Sequence, residues 1–177
     1  VNPEACLRAI QQTVRDLGLA DIKIGVVAGD DILADLDALM ASGERFSNLD
    51  SGEDISAIRP RITSANVYIG AQPIVDALKQ GADIVVTGRV ADPSLALAPL
   101  IHEFGWSMDD YDKLAAGTVM GHLIECGTQC TGGNFTDWRT VPDIARIGFP
   151  VIEASADGSF VVTKHDNTGG LVNVETV

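Results

Sequence analysis

ADIVVTGRVADPS, residues 82–94, passes from an apolar run into Gly88 and Arg89 and then into Asp-Pro-Ser. It is the clearest strand-then-loop in the chain, and it leads directly into a helical pattern, DPSLALAPLIHEFGW (92–106). Asp92 is placed to cap that helix and Pro93 to start it, while Pro99 should kink or shorten it. A second run of the same kind, IKIGVVAGD (22–30), is β-branched with no room for a solvated face, the mark of a buried parallel strand.

Working outward, strands and helices alternate. NPEACLRAIQQTVRDLGL (2–19) has Asn2 as cap, Pro3 in the first turn, Glu4 at the positive end and Gly18 as stop. Leu7, Ile10, Val14 and Leu17 recur at helical spacing. DDILADLDALMASG (30–43) reads as a helix with Ile32, Leu33, Leu36, Leu39 and Met40 on one side, ending at Gly43. The polar stretch 44–62 is long enough for a functional or mobile loop. Val67, Tyr68 and Ile69 fit a short strand. AQPIVDALKQG (71–81) is a helix with Pro73 in its first turn. DDYDKLAAGTVMGHLIECG (109–127) is a helix rich in small residues, suited to close packing against a neighbour. PVIEASADGSFVVTKHD (150–166) reads as a hairpin around Asp157-Gly158.

The pattern predicts an α/β fold, a mostly parallel sheet with flanking helices in Rossmann-like layering, followed by a late β-hairpin. Residues 1–150 would form the α/β domain, and residues 151–177 the hairpin and the start of a following helix. Both ends look cut, since Val1 is not an initiator Met and the chain stops within an apolar-periodic segment. A fragment of a longer protein is expected.

Hydrophobic residues make up 46% of the 177, enough for a real core. The net charge of −13, with only 12 scattered Lys and Arg, opposes binding to nucleic acid or an anionic membrane surface. No apolar run reaches the ~18 residues of a spanning helix, and no signal peptide opens the chain. Three cysteines, Cys6, Cys126 and Cys130, are too few and irregular for a disulfide framework, which points to a reducing cytoplasm.

In open α/β sheets, ligands bind beyond the carboxyl ends of the strands. Two loops qualify. Asp30 and Asp31 are read as acids that stabilise a helix N-terminus. In the other loop, Thr87, Gly88 and Arg89 with Asp92 and Ser94 could hold a carboxylate or phosphate. Gly88 permits close approach, Arg89 supplies a forked cation and Ser94 lies in the first turn. The plainer alternative is that Asp92 only caps and Arg89 pairs with it. Neither G-x-G-x-x-G nor G-x-x-x-x-G-K-[ST] occurs, so no nucleotide fingerprint is present.

ECGTQCTGGNFTDW (125–138) is the other dense stretch. His122, Glu125 and Cys126 share a helix face at i, i+3 and i, i+4, but the C-x-x-C pairs of a structural zinc site are missing, and no metal is expected. Cys126, at a helix C-terminus, is poorly placed for a lowered pKa; Cys130, among glycines, is freer. Small buried cysteines in a tight connection are the bland alternative. Gly132, Gly133, Asn134 and Trp138 have the makings of a pocket lining, and His122, Glu125, Cys130 and Asp137 are the catalytic candidates. The motif TGG occurs at 131–133 and 168–170, with no weight alone.

Three long segments, residues 64–106, 122–138 and 167–177, closely resemble the acyclic terpene utilisation protein family AtuA. The resemblance covers essentially the whole chain and looks like the interior of longer members. It implies a place in bacterial breakdown of acyclic terpenes such as citronellol and geraniol through CoA thioesters, in the cytoplasm. It transfers no catalytic residues. The expectation is a lyase, hydratase or isomerase acting on an acyl-CoA or carboxylate ligand, with no cofactor; the alternative is a non-catalytic acyl-CoA-binding or scaffold subunit. The apolar helices and acidic surface are compatible with a homo-oligomer.

Overall fold

The computed structural model describes residues 2–177. Its elements are α1 (Pro3–Asp16), β1 (Ile24–Val27), α2 (Leu36–Ala41), α3 (Gln72–Lys79), β2 (Ile84–Thr87), α4 (Ser94–Phe104), α5 (Tyr111–Glu125), β3 (Pro150–Ala154) and β4 (Phe160–Lys164), with short 3-10 turns between them. This is a mixed α/β arrangement. β1 and β2 pair in parallel, Ile24 opposite Ile84 and Val27 opposite Thr87. β3 and β4 form a separate antiparallel hairpin. The extended parallel sheet expected from the alternation is a single pair among the described residues.

Local chemistry explains the elements that match expectation. Asn2 Oδ1 accepts from the Ala5 N–H at 2.9 Å, and Pro3 opens α1. The hairpin turns at Asp157-Gly158, where Asp157 Oδ1 accepts from the Ser159 N–H at 3.0 Å and Gly158 takes a positive φ. The last residues make one turn opened by Asn173, whose Oδ1 accepts from the Glu175 and Thr176 N–H groups.

Other elements differ, each for a visible reason. The helix expected from residue 30 is only α2, because Asp31 Oδ1 turns back to accept from the Leu33 N–H and holds that segment in turns. Asp92 does not cap α4; Pro93 occupies the cap position without a side-chain bond. The helix runs on through Pro99 to Phe104. Segment 44–62 is tied down by the Arg59 guanidinium, which donates twice to the Asp37 carboxylate at 2.7 and 3.0 Å. Val67–Ile69 forms isolated bridges instead of a strand, with Asn66 against Asp31 and Ile69 against Val90. The strip thus crosses the carboxyl ends of both β1 and β2.

Val27, Ile74, Val75, Val90, Ala98, Ile101, Trp106 and Met120 form the main core, joining β1, α3, α4 and α5. α5 approaches α4 closely at its small residues. A Cβ on Gly121 would sit 2.6 Å from the Pro93 carbonyl oxygen, and one on Gly117 would sit 2.6 Å from Leu97 Cδ1. Gly121 therefore sets how near the last turns of α5 come to the first turn of α4.

The two TGG segments dock on each other. Thr131, fully buried, donates its hydroxyl to the Gly148 carbonyl at 2.7 Å, and the Leu171 N–H donates to the Thr131 carbonyl at 2.9 Å. Gly148 in turn donates its N–H to Gly169.

Asp30 is the least expected feature. It is 3% exposed. It stands where β1 ends, clear of α2, and its Oδ2 accepts from Asn66 Nδ2 at 2.8 Å. The backbone N–H of Arg89 is the main influence holding its carboxyl below the ordinary 3.8, against a smaller upward push from burial. A Cβ on Gly88 would overlap Asp30 Oδ1.

Three predictions rest on this buried acid. Asp30→Ala should destabilise the fold by about 1–3 kcal/mol, because buried donors lose their acceptor. Gly88→Ala should cost a similar or larger amount alone but add little in an Asp30→Ala background; simple additivity in a denaturant-melt cycle would contradict the contact. Because its folded pKa is depressed, the stability from ionised Asp30 is present above pH 3.8 and lost as pH falls through the lower folded value. Acid unfolding of Asp30→Asn should lack that part of the wild-type pH dependence.

Candidate functional site

The β2–α4 turn has two sides. On the backbone side, the cradle at Thr87, Gly88 and Arg89 that was expected to hold an external anion is occupied by the chain's own Asp30 carboxylate. On the other side, the Arg89 side chain points outward. Its guanidinium lies over the Tyr68 ring, 5.6 Å from the centroid, and Nη1 is 3.5 Å from Asp92 Oδ1. Both side chains of this pair are nearly half exposed and the contact is long, so it is worth ~0–1 kcal/mol and an arriving anion can compete for it. Ser94 is buried in the first turn of α4, away from any solvent-borne ligand.

The end of α5 meets this corner. With Gly121 pressed on Pro93, Asp92 and Glu125 line one open hollow of about 440 Å³ with Leu95, Ala96, Gly121 and Ile124. Two carboxylates thus share a mostly apolar wall. Cys126 is exposed beside them, and its Sγ donates to Glu125 Oε2 at 2.9 Å. That bond, followed by burial and the charges of Glu125 and Asp92, raises the thiol above 9.0. Cys130 is buried, donates to the Leu123 carbonyl at 3.1 Å and is raised by burial. Both thiols are therefore protonated at neutral pH, which is unfavourable for nucleophilic attack.

His122 lies exposed one turn back on α5 and is not among the residues lining the hollow. Among the described residues, no three His, Cys, Asp or Glu side chains gather in a way that could hold a metal ion.

The rest of the glycine-rich strip turns away. Gly132 packs against Val141 and Gly133 against Thr128, making a tight connection. Asn134 lines a different hollow, with Phe135 and Glu175–Val177. Trp138 is on the surface with the Arg139 guanidinium 4.5 Å above its ring, and the backbone carbonyl of Asp137 accepts from the Thr140 hydroxyl. Of the expected residues, Asp92 and Glu125 share one hollow and Arg89 pairs with Asp92 beside it; Gly132, Gly133, Asn134, Asp137 and Trp138 are not part of that corner.

A hollow of about 520 Å³ also opens in segment 45–58, lined by Arg45, Asn48 and Asp54 among others. Two of its polar side chains are engaged in local turns, Asn48 Oδ1 with Asp50 and Ser51 and Asp54 Oδ1 with Ser56. The α4–α5 hollow is the better candidate, because two carboxylates from separate elements, Asp92 and Glu125, face one apolar wall there, and Arg89 stands beside it, 3.5 Å from Asp92. In the sequence Asp30 reads as an acid at a helix N-terminus and Tyr68 as a strand residue, and Asn66 has no assigned role. Only the position of Asp30, directly after a buried strand, signalled a role at the sheet's carboxyl end.

No helix among the described residues is long and apolar enough to cross a membrane. No curated protein and no solved structure matches the chain. One family model does, that of the acyclic terpene utilisation family protein AtuA, and it matches residues 1–177. The chain belongs to the AtuA family, whose description ties it to the utilisation of acyclic terpenes.

Proposed function

We propose that the protein acts on a branched, carboxylated or CoA-linked acyl intermediate of acyclic terpene breakdown, by a lyase, hydratase or isomerase type of reaction, in the hollow between α4 and α5. The supporting observation is the convergence of Asp92 and Glu125 on one apolar wall, with Arg89 3.5 Å from Asp92. In this reading Arg89 exchanges Asp92 for the anionic or carbonyl head of the ligand, and Tyr68 backs the guanidinium. Glu125 is the acid–base group, since proton transfer at carbon needs a general acid or base beside the reacting atoms and Glu125 lines the hollow. The nucleotide end of a CoA ester stays in solvent, because a chain of net charge −13 offers no cation cluster for its phosphates. The β1–β2 pair, with α1 and α3 packed on it, is read as the kernel of a Rossmann-like layered sheet.

Incubation of the protein with pathway CoA thioesters, followed by mass spectrometry of the products, tests the assignment. Glu125→Gln should lower turnover by roughly 10²–10⁴-fold with the fold intact. Arg89→Ala should weaken ligand binding by about tenfold to a hundredfold, the loss of a charge-assisted hydrogen bond. Binding that depends on Arg89, with no turnover by wild type and no effect of Glu125→Gln on pathway flux, would make the protein a non-catalytic acyl-binding subunit. Indifference to both substitutions would remove the hollow from consideration.

A further inference from the structure

The hollow at Asp92 and Glu125 continues beyond its mouth. A second hollow of about 200 Å³ shares Ala96 and Ile124 with it and extends past Leu100 and Met120 to Phe104. The α4 residues involved recur at three- and four-residue steps, so one stripe of α4 forms a wall along nearly its whole length. α5 forms the opposite wall, and Ile152 and Ala154 of β3 contribute at the far end. Polarity changes along this path. Carboxylates and the Arg89 corner stand at the mouth, while Glu103 is the only charged residue lining the distal part.

The far end has rigid backing. The Phe104 ring stacks on Trp106 with centroids 5.6 Å apart, and the Trp106 indole N–H donates to the Ala156 carbonyl at 2.8 Å. From Leu95 to Phe104 an α-helix advances about 14 Å. An extended chain advances ~1.2 Å per bond, so the apolar part accommodates roughly ten to twelve bonds.

The geometry points to a single groove that houses the hydrocarbon chain of the ligand, with Phe104 as the residue that sets chain length. This rests on the proposed seating of the ligand head at Arg89. The charge pattern favours a ligand with one polar end and one long apolar end, since its head meets the guanidinium while its chain covers a wall whose one charged residue is Glu103. The chain need not be straight, because the hollow at the mouth is the roomier of the two, about 440 against 200 Å³.

Isothermal titration of the protein with straight-chain carboxylates from butanoate to tetradecanoate separates the two claims. Affinity should rise about fourfold for each added methylene, up to about dodecanoate, and then level off. Phe104→Ala, with Phe104→Leu as a milder second variant, should move the plateau to longer chains, and Phe104→Trp should move it to shorter ones. Arg89→Ala should weaken all chain lengths by a similar factor. Arg89-dependent binding with no gain from chain length would overturn the groove and leave the head-group reading intact. A length gain whose plateau ignores both shortening and lengthening of residue 104 would also overturn it. A plateau that follows residue 104 but ignores Arg89 would keep the groove and remove the head-group reading. Failure of every carboxylate to bind would remove both.

Discussion

The fold around the candidate site depends on a carboxylate that the chain keeps for itself. Asp30 lies buried at the end of β1 and takes hydrogen bonds from the Arg89 backbone and the Asn66 side chain. A buried charge is tolerated only when such donors surround it, so three segments distant in sequence are pinned together. With its backbone fixed on Asp30, Arg89 has only the outward direction for its side chain, where Tyr68 and Asp92 meet it. The same constraint positions the start of α4 and hence the mouth of the α4–α5 hollow. An anion-binding turn that looks open in sequence is, on its backbone side, already filled.

The second constraint is steric. Gly121 lets α5 lie against Pro93, and Gly117 does the same against Leu97 and Trp106. These contacts bring Glu125 to Asp92 and leave a groove beside the line of contact. Close packing and an open surface channel arise from the same face of α5, where Gly117 and Gly121 touch α4 and Met120 and Ile124, three residues on from each, wall the channel beside them.

What the sequence made legible was the chemistry of neighbouring residues. The Asn2 cap, the Pro3 start, the Asp157-Gly158 turn and the strand character of 24–27 and 84–87 all depend on contacts within a few positions. What it concealed were pairings across long separations. The strip 65–69 bonds to residues 30–32 and 89–91, and nothing local announces that. An acid after a strand reads as a helix cap, yet Asp30 is a buried anchor. The two TGG segments were individually uninformative, and their meaning lies in mutual docking around Gly148. The site divided along the same line. Arg89, Asp92 and Glu125 sit at element ends whose placement follows from the helices, whereas Asn134, Asp137 and Trp138 belong to a connection whose direction no periodicity encodes.

The most direct measurement is a crystal structure of the protein grown with a branched medium-chain acyl carboxylate. Density is expected between α4 and α5, with the carboxylate within hydrogen-bond distance of the Arg89 guanidinium and the chain passing Ile124 toward Phe104. Arg89 would then have left Asp92. A ligand seated in the hollow of segment 45–58, or an Arg89–Asp92 pair unchanged beside an empty groove at saturating ligand, would contradict it.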